Sequence, residues 1–162
     1  MQSSVKKIVL LIIFILSFFI VKKKKKNSCD STYLQNATNI STADTCLLTG
    51  ANYVLEHPLY GNSKLYYNYM GFILEWMDKT PDFSFSLNSK VLELCKDDNL
   101  SLFNVYLTCL AKAAIETKKN YVPVAIKLFV AYLEKPENKV KRTSKIKKMI
   151  ADVQEDKLEK YI

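Results

Sequence analysis

From residue 42 onward, apolar residues recur at three- and four-residue intervals, and the breaks in that rhythm fall at Pro and Asn. Spacing of this kind predicts amphipathic helices. The first, over residues 42–56, turns Leu47, Leu48, Ala51, Val54 and Leu55 inward and stops at His57-Pro58. After a loop over 59–62, Ser63 is a candidate N-cap for a helix over 64–78. Its stripe of Leu65, Tyr69, Phe72, Ile73, Trp76 and Met77 follows the i, i+4, i+7, i+8 pattern of one helical face. Thr80-Pro81 ends it, because proline disfavours helix at the residue before it. Residues 81–88, Pro-Asp-Phe-Ser-Phe-Ser-Leu-Asn, alternate apolar and polar and predict a short extended piece; one strand does not make a sheet.

Helical rhythm then resumes. A short helix over 89–96 presents Val91, Leu92 and Cys95, and Asp98-Asn99 cap a longer one to residue 118 with Phe103, Leu107, Leu110 and Ala114 inward. Asn120 and Pro123 open a helix to residue 135 that buries Val122, Ile126, Phe129, Val130 and Leu133. A proline in the first turn is tolerated, since its missing amide has no intrahelical partner there. Beyond Pro136 and Asn138, a last helix over 139–160 carries Ile146, Met149, Ile150 and Val153 on one side, with Leu158 and Ile162 beyond. The expected architecture is all-α: a single compact bundle or helix-hairpin stack of five to six helices. No repeat of about 34 residues supports a tetratricopeptide array.

The first residues follow a different rule. Residues 1–7 are a short basic region, and residues 8–21 are apolar except for Ser17. As a helix those fourteen residues reach about 21 Å, short of the roughly 30 Å hydrocarbon core of a bilayer. The length fits a signal peptide. Lys22 to Lys26 then stand where a small-residue cleavage site is expected, and positive charge tends to stay in the cytoplasm. Residues 1–26 are therefore a signal peptide or an N-terminal membrane anchor, 27–42 a polar lead-in, and 43–162 the helical domain. Cys29 as a lipidated residue fits less well, because Lys26-Asn27-Ser28 lacks the usual apolar residue. The expected destination is the periplasm or cell envelope, with membrane anchoring as the alternative.

Composition sharpens this. With 49% apolar and 12% aromatic residues, the chain has enough material for one core. The net charge of +8 is concentrated at the front, where residues 1–26 hold seven of the 24 basic residues and no acid. Of the remainder, residues 27–111 carry four lysines against nine acids, a net of −5, and residues 112–162 carry thirteen basic residues against seven acids, a net of +6. The two halves are suited to attract each other or two different partners.

Chemistry is sparse. Four cysteines, Cys29, Cys46, Cys95 and Cys109, allow two disulfides, which proximity pairs as Cys29–Cys46 and Cys95–Cys109. The other reading makes Cys46, Cys95 and Cys109 small core residues on helices. One histidine, His57, and no Cys-x-x-Cys pair argue against zinc, and no phosphate loop or nucleophile elbow is present; no cofactor and no catalytic residue are expected. Glu75, Asp78 and Asp82 near Trp76 are the raw material of a glycosidase pair, but read better as a solvated acidic face. Cys109 lacks a visible basic partner for nucleophilic work. Asn36-Ala37-Thr38, Asn39-Ile40-Ser41 and Asn99-Leu100-Ser101 match the N-glycosylation triplet.

The candidate binding feature is the basic stretch Lys139, Lys141, Arg142, Lys145, Lys147 and Lys148, suited to anionic lipid or phosphate. It reads better as the solvated face of an amphipathic helix whose Ile146, Met149 and Ile150 pack inward, and it lacks the interleaved aromatics of a nucleic-acid reader; no nucleic-acid partner is expected. Tyr53, Tyr60, Tyr66, Tyr67 and Tyr69 cluster in the first two helical regions, with Tyr66 and Tyr67 partly off the inner stripe. Amphipathic rings there suit a partner groove, and equally a half-buried layer around the core.

Three stretches carry a resemblance: Trp76-Met77-Asp78-Lys79-Thr80-Pro81-Asp82-Phe83-Ser84-Phe85, then Leu102-Phe103-Asn104-Val105-Tyr106-Leu107-Thr108-Cys109-Leu110-Ala111-Lys112, then Pro136-Glu137-Asn138-Lys139-Val140-Lys141 with the Lys-rich tail ending Leu158-Glu159-Lys160-Tyr161-Ile162. Together, over residues 43–162, they resemble a group of small, uncharacterised, signal-peptide-bearing helical proteins of Bacteroidetes-type bacteria. The resemblance implies export and a helical fold, and no activity; the Lys22 to Lys26 run departs from its pattern. The resulting expectation is an exported, non-catalytic protein-interaction module whose partner is another protein. The alternative is a membrane-tethered domain binding anionic lipid through its basic C-terminal helix.

Overall fold

The computed structural model describes Cys29 and residues 40–58, 63–96 and 101–162. The apolar run at 8–21, Lys22 to Lys26, the three glycosylation asparagines, Tyr60 and the Asp98-Asn99 cap lie outside the described residues. Six α-helices follow one another: α1 (Ile40–Glu56), α2 (Lys64–Lys79), α3 (Ser89–Leu94), α4 (Ser101–Thr117), α5 (Tyr121–Glu134) and α6 (Ser144–Gln154). Short 3-10 turns occupy Pro136–Asn138 and Leu158–Tyr161. Among the described residues there is no strand, and the fold is all-α. Among the same residues, no helix is long and apolar enough to cross a membrane.

The helices start and stop where their ends can be satisfied. The Ser63 hydroxyl accepts the Tyr66 amide at 3.2 Å to open α2, the Asn88 side chain accepts the Lys90 amide at 2.9 Å to open α3, and the Thr143 hydroxyl accepts the Ile146 amide at 3.3 Å to open α6. Each cap occupies an amide that has no intrahelical acceptor. The bounds differ from expectation most in two helices, and α3 ends two residues early, at Leu94. α1 begins at Ile40, inside the expected lead-in. The last helix is cut at both ends: Lys139 adopts a left-handed backbone (φ 48°), Thr143 caps a helix that begins at Ser144, five residues beyond its expected start, and Asp156 (φ 59°) follows its end. Lys139, Lys141 and Arg142 therefore lie on irregular chain and not on a helix face.

α4 is the centre. α1 packs on α2 and on α4, α5 packs on the other side of α4, and α6 packs on α5. Eleven of the seventeen residues of α4 are buried, the pattern of a helix enclosed on most sides rather than lying on a surface. One apolar cluster joins α1 and α2 to Ala111 and Ile115 of α4; a second joins α3, α5 and α6 to Val105, Tyr106, Cys109 and Leu110. The two clusters thus meet across one helix. Cross-links tie the ends together: Lys135 Nζ donates to the Leu55 carbonyl at 3.0 Å, and the Tyr132 hydroxyl to the His57 carbonyl at 3.4 Å.

The stripe of α2 needs one correction. Leu65 is 39% exposed, while Tyr66 and Met70 are buried in its place. The face that packs against α1 and α4 is rotated toward those two residues, and Tyr67 is left 58% exposed.

Candidate functional site

The residues singled out in the sequence do not converge. Cys29 and Cys46 are joined by a disulfide with Cα atoms 5.5 Å apart, and Cys29 packs at the edge of the α1–α2 cluster. The expected second bridge is not formed: Cys95 and Cys109 are free, buried thiols in the α3–α4–α5 core. Each fills apolar space there as a small hydrophobic side chain. Burial pushes the Cys95 thiol up to about 12 and the Cys109 thiol higher still, so neither is a thiolate nucleophile at neutral pH.

The basic stretch is divided among structural tasks. Arg142 Nη2 donates to the Glu134 carbonyl at 2.8 Å and lies 3.5 Å from that of Leu133, serving the open carbonyls at the end of α5. Lys145 pairs with Glu93 at 2.8 Å, and Lys148 approaches Asp152 at 3.5 Å. Asp152 is buried and also receives Lys160 Nζ at 2.7 Å and the Tyr161 hydroxyl at 2.9 Å. These hydrogen bonds, with the Lys148 charge behind them, hold its carboxyl down at about 2. Lys139 and Lys147 are exposed, and Lys141 makes a contact of its own. The charge asymmetry of the two halves is partly spent inside the fold, through Lys145–Glu93 and Lys118–Asp44 (3.8 Å).

The acidic trio stays apart from chemistry. Glu75 pairs with Lys79 at 2.6 Å, and Asp78 and Asp82 are exposed. His57 stacks on Tyr53 with ring centroids 3.9 Å apart, its Nδ1 lying 2.7 Å from the Tyr53 carbonyl. Among the described residues, no group of three His, Cys, Asp or Glu side chains is placed to hold a metal. The tyrosines of the first two helices split as well: Tyr66 and Tyr69 are buried, and Tyr53 is half-buried with its hydroxyl 3.1 Å from that of Ser63.

A different surface gathers the unexplained features. α2 ends at Thr80, the chain bends at Pro81 and Asp82, and Asn88 then caps α3. Residues 83–88 run between these fixed points without turn or bend. Alternation along an extended chain sends Phe83 and Phe85 inward, and Ser84 and Ser86 to solvent. The α4–α5 turn brings Tyr121 against them, with Lys118 and Asn120 in left-handed backbone (φ 60° and 50°) to make the reversal. Four rings result: Phe83 and Phe85 lie 5.8 and 6.2 Å from Trp76, and 6.2 and 5.6 Å from Tyr121, all as ring centroids. These are the separations of attractive aromatic pairs. Trp76 is buried, whereas Phe83, Phe85 and Tyr121 stay half-buried. The Tyr121 hydroxyl donates to the Ser84 carbonyl at 2.5 Å, and Lys118 Nζ sits 5.8 Å over the Phe83 ring.

Beside the rings opens a cleft of about 400 Å³, between residues 86–89 on one side and Tyr106, Val122 and Ile162 on the other. Asn88 Nδ2 donates to the Ile162 main-chain oxygen at 3.2 Å and fixes one rim. Leu87 and Ile162 are 40% and 58% exposed at its mouth. Tyr106 is fully buried, yet its hydroxyl has no hydrogen-bond partner. Burial, with smaller contributions from Cys109, Cys95 and Tyr121, pushes that phenol up to about 12. The alternation at 81–88 predicts the extended piece, but nothing in the sequence signals that Tyr106 and Tyr121 meet it. The signal available was Phe-Ser-Phe-Ser-Leu between two helix caps, too long for a turn and too short for a hairpin.

No protein-family model matches the chain, nor does any curated protein or solved structure.

Proposed function

We propose that this protein is an exported, envelope-associated module that acts by binding another protein, through the face formed by residues 83–88, Tyr121 and the adjacent cleft. The observation that carries the reading is the half-buried aromatic cluster continuous with exposed Leu87 and Ile162. Rigid aromatic and apolar side chains with a polar rim are the composition of interface cores. Lys118 and Lys119 at the turn and Lys90 on α3 are exposed and supply such a rim. Export is supported by the apolar run at 8–21 and by the Cys29–Cys46 bridge, since structural disulfides persist in oxidising compartments.

The test is site-specific photo-crosslinking of the full chain in cells, with the probe at Leu87 and, for comparison, at Gly71 on the exposed side of α2. The expected result is one discrete adduct from position 87 in the envelope fraction and none from position 71. Equal yields at both positions, or an intact N-terminus on protein recovered from the cytosol, overturn it. The lipid alternative draws less support, because Arg142, Lys145 and Lys148 are engaged within the fold.

A further inference from the structure

Gly71 is a glycine that the inside of the fold does not account for. A glycine within a helix weakens that helix. Gly50 in α1 has its reason, because a side chain there meets Tyr69. At Gly71, on the exposed side of α2, nothing lies within 4 Å of an added carbon.

The same side of α2 carries a second apolar rhythm. Lys64, Tyr67, Gly71, Leu74 and Asp78 are all exposed and follow one another at intervals of three, four, three and four. Those are the a and d positions of a heptad, the seam along which one helix packs on another. Its two large apolar members, Tyr67 and Leu74, are 58% and 40% exposed. The Tyr67 ring stands edge-on to buried Tyr66 with centroids 5.9 Å apart, so it is held from within. The buried stripe of α2, from Tyr66 to Trp76, is a separate face.

The ends of the seam decide what covers it. Lys64 and Asp78 lie seven residues to either side of Gly71 and carry opposite charge. A second α2, turned end for end about Gly71, brings its Asp78 to Lys64 and its Lys64 to Asp78. The same turn sets Tyr67 of each copy beside Leu74 of the other. Glu75, held by Lys79 at 2.6 Å, flanks the seam where the incoming lysine arrives. A parallel pair instead stacks Lys64 on Lys64 and Asp78 on Asp78, which repels. The face is self-complementary about a two-fold axis, the property of an isologous interface.

We propose that α2 pairs with α2 of a second copy of this chain as an antiparallel helix pair. The backbones come closest at Gly71, where no Cβ intervenes, Tyr67 and Leu74 interleave, and Lys64–Asp78 ion pairs close both ends. A seam of two heptads is small, so the pair is weak and concentration-dependent. It uses none of residues 83–88, Tyr121 or the cleft.

The experiment mixes two differently tagged full-length chains, one carrying Lys64→Cys and the other Asp78→Cys, under mild oxidation. The native cysteines do not compete, being bridged or buried. The expected product is a disulfide-linked pair bearing both tags. Each variant alone is expected to stay unlinked, because its two copies of the new thiol stand about 20 Å apart. In sedimentation equilibrium of the full chain, Lys64→Glu is expected to weaken self-association at least tenfold. Adding Asp78→Lys to it is expected to restore affinity to within about threefold of the parent. Gly71→Gln is expected to weaken the pair at least tenfold by forcing the backbones apart, with the helical circular dichroism of the monomer retained. A photo-crosslinking probe at position 71 is larger still and opens the pair, so that position remains the blank for Leu87. Self-linking by Lys64→Cys alone, absence of the mixed disulfide, or a double reversal as weak as Lys64→Glu overturns the pairing. So does a parent chain that stays monomeric at every concentration, or one whose α2 captures a different helix and not its own copy.

Discussion

The Tyr161 hydroxyl donates to Asp152 Oδ2 at 2.9 Å, nine residues back along the chain, and so closes the last 3-10 turn onto α6. The same carboxylate takes Lys160 and Lys148, so one buried acid anchors the end of the described chain. Its carboxyl sits at about 2, below the roughly 3.9 of an unfolded aspartate. A depressed acid contributes stability that is complete above the unfolded value and lost as pH falls through the folded one. Asp152→Asn is expected to lower the urea midpoint at pH 7, with the gap to the parent protein closing between about pH 4 and pH 2. Tyr161 works at the opposite limit: burial and the bond to Asp152 raise it to about 12, so its contribution holds below about pH 10 and fades as pH rises through 12. Urea titrations across this range check both edges.

Two helical glycines are expected to respond in opposite directions to the same change. A Cβ at Gly50 in α1 falls 2.7 Å from Tyr69 Cδ1 and 3.2 Å from its Cβ. Tyr69 is buried and the clash reaches the root of its side chain, so repacking requires α1 and α2 to separate. Gly50→Ala is expected to destabilise by about 1–2 kcal/mol, the usual range for overpacking. At Gly71 in α2, nothing lies within 4 Å of the added carbon. Gly71→Ala is expected to stabilise by about 0.5–1 kcal/mol, through helix propensity alone. Thermal or chemical unfolding of the two variants decides.

The helices were legible because their rhythm is local. The stripe of α2 and the stop at Thr80-Pro81 follow from spacing and backbone sterics within a few residues. The burial of α4 was only partly legible: its 0%-exposed Ala113 and Ala114 show that neighbours close on it from two sides, a tertiary fact. The rotation that exposes Leu65 and buries Tyr66 depends likewise on where α1 and α4 sit. Apolar spacing alone overextends α6, because it does not register Thr143, whose hydroxyl takes the first-turn amide. The cleft was illegible, because Tyr106, Val122 and Ile162 are far apart in sequence and meet residues 86–89 only after folding.

The cysteines divide by reactivity. The Cys29–Cys46 bridge spans a sequence separation of 17, and closing a loop near that size stabilises by about 3 kcal/mol in the chain-entropy account. Cys29→Ser is expected to lower unfolding stability by about 2–3 kcal/mol, on the same account. Cys95 and Cys109 are buried with raised thiols, so the native protein is expected to resist alkylation. After denaturation without reductant, two thiols are expected to react. Mass spectrometry after iodoacetamide treatment counts them in both states.

Neighbours in the basic stretch are expected to differ. Arg142 completes hydrogen bonds at the end of α5, and Arg142→Ala is expected to cost about 0.5–1.5 kcal/mol. Lys147 is exposed on α6, and Lys147→Ala is expected to stay within about 0.5 kcal/mol of the parent. A patch acting as a single anionic-lipid site would instead lose vesicle binding alike with either substitution. Unfolding midpoints and sedimentation with anionic vesicles, measured on the same pair, separate structure from surface attraction.

Tyr106 isolates the cost of one unpaired hydroxyl in the core. Its ring packs at 5.4 Å from Phe129 in the α4–α5 core, and the side chain has no exposure to solvent. Phenylalanine preserves that packing and removes only a hydroxyl that the free fold leaves unpaired. A buried polar group without a partner carries a desolvation cost of about 1–3 kcal/mol, so Tyr106→Phe is expected to leave stability unchanged or raise it by up to about 1 kcal/mol. A clear loss of stability would mean that the hydroxyl already has a partner inside the fold. A gain would mark this side chain as one whose polarity the fold does not need. Equilibrium unfolding of Tyr106→Phe, read by the near-ultraviolet signal of Trp76 and by backbone circular dichroism together, separates the two outcomes.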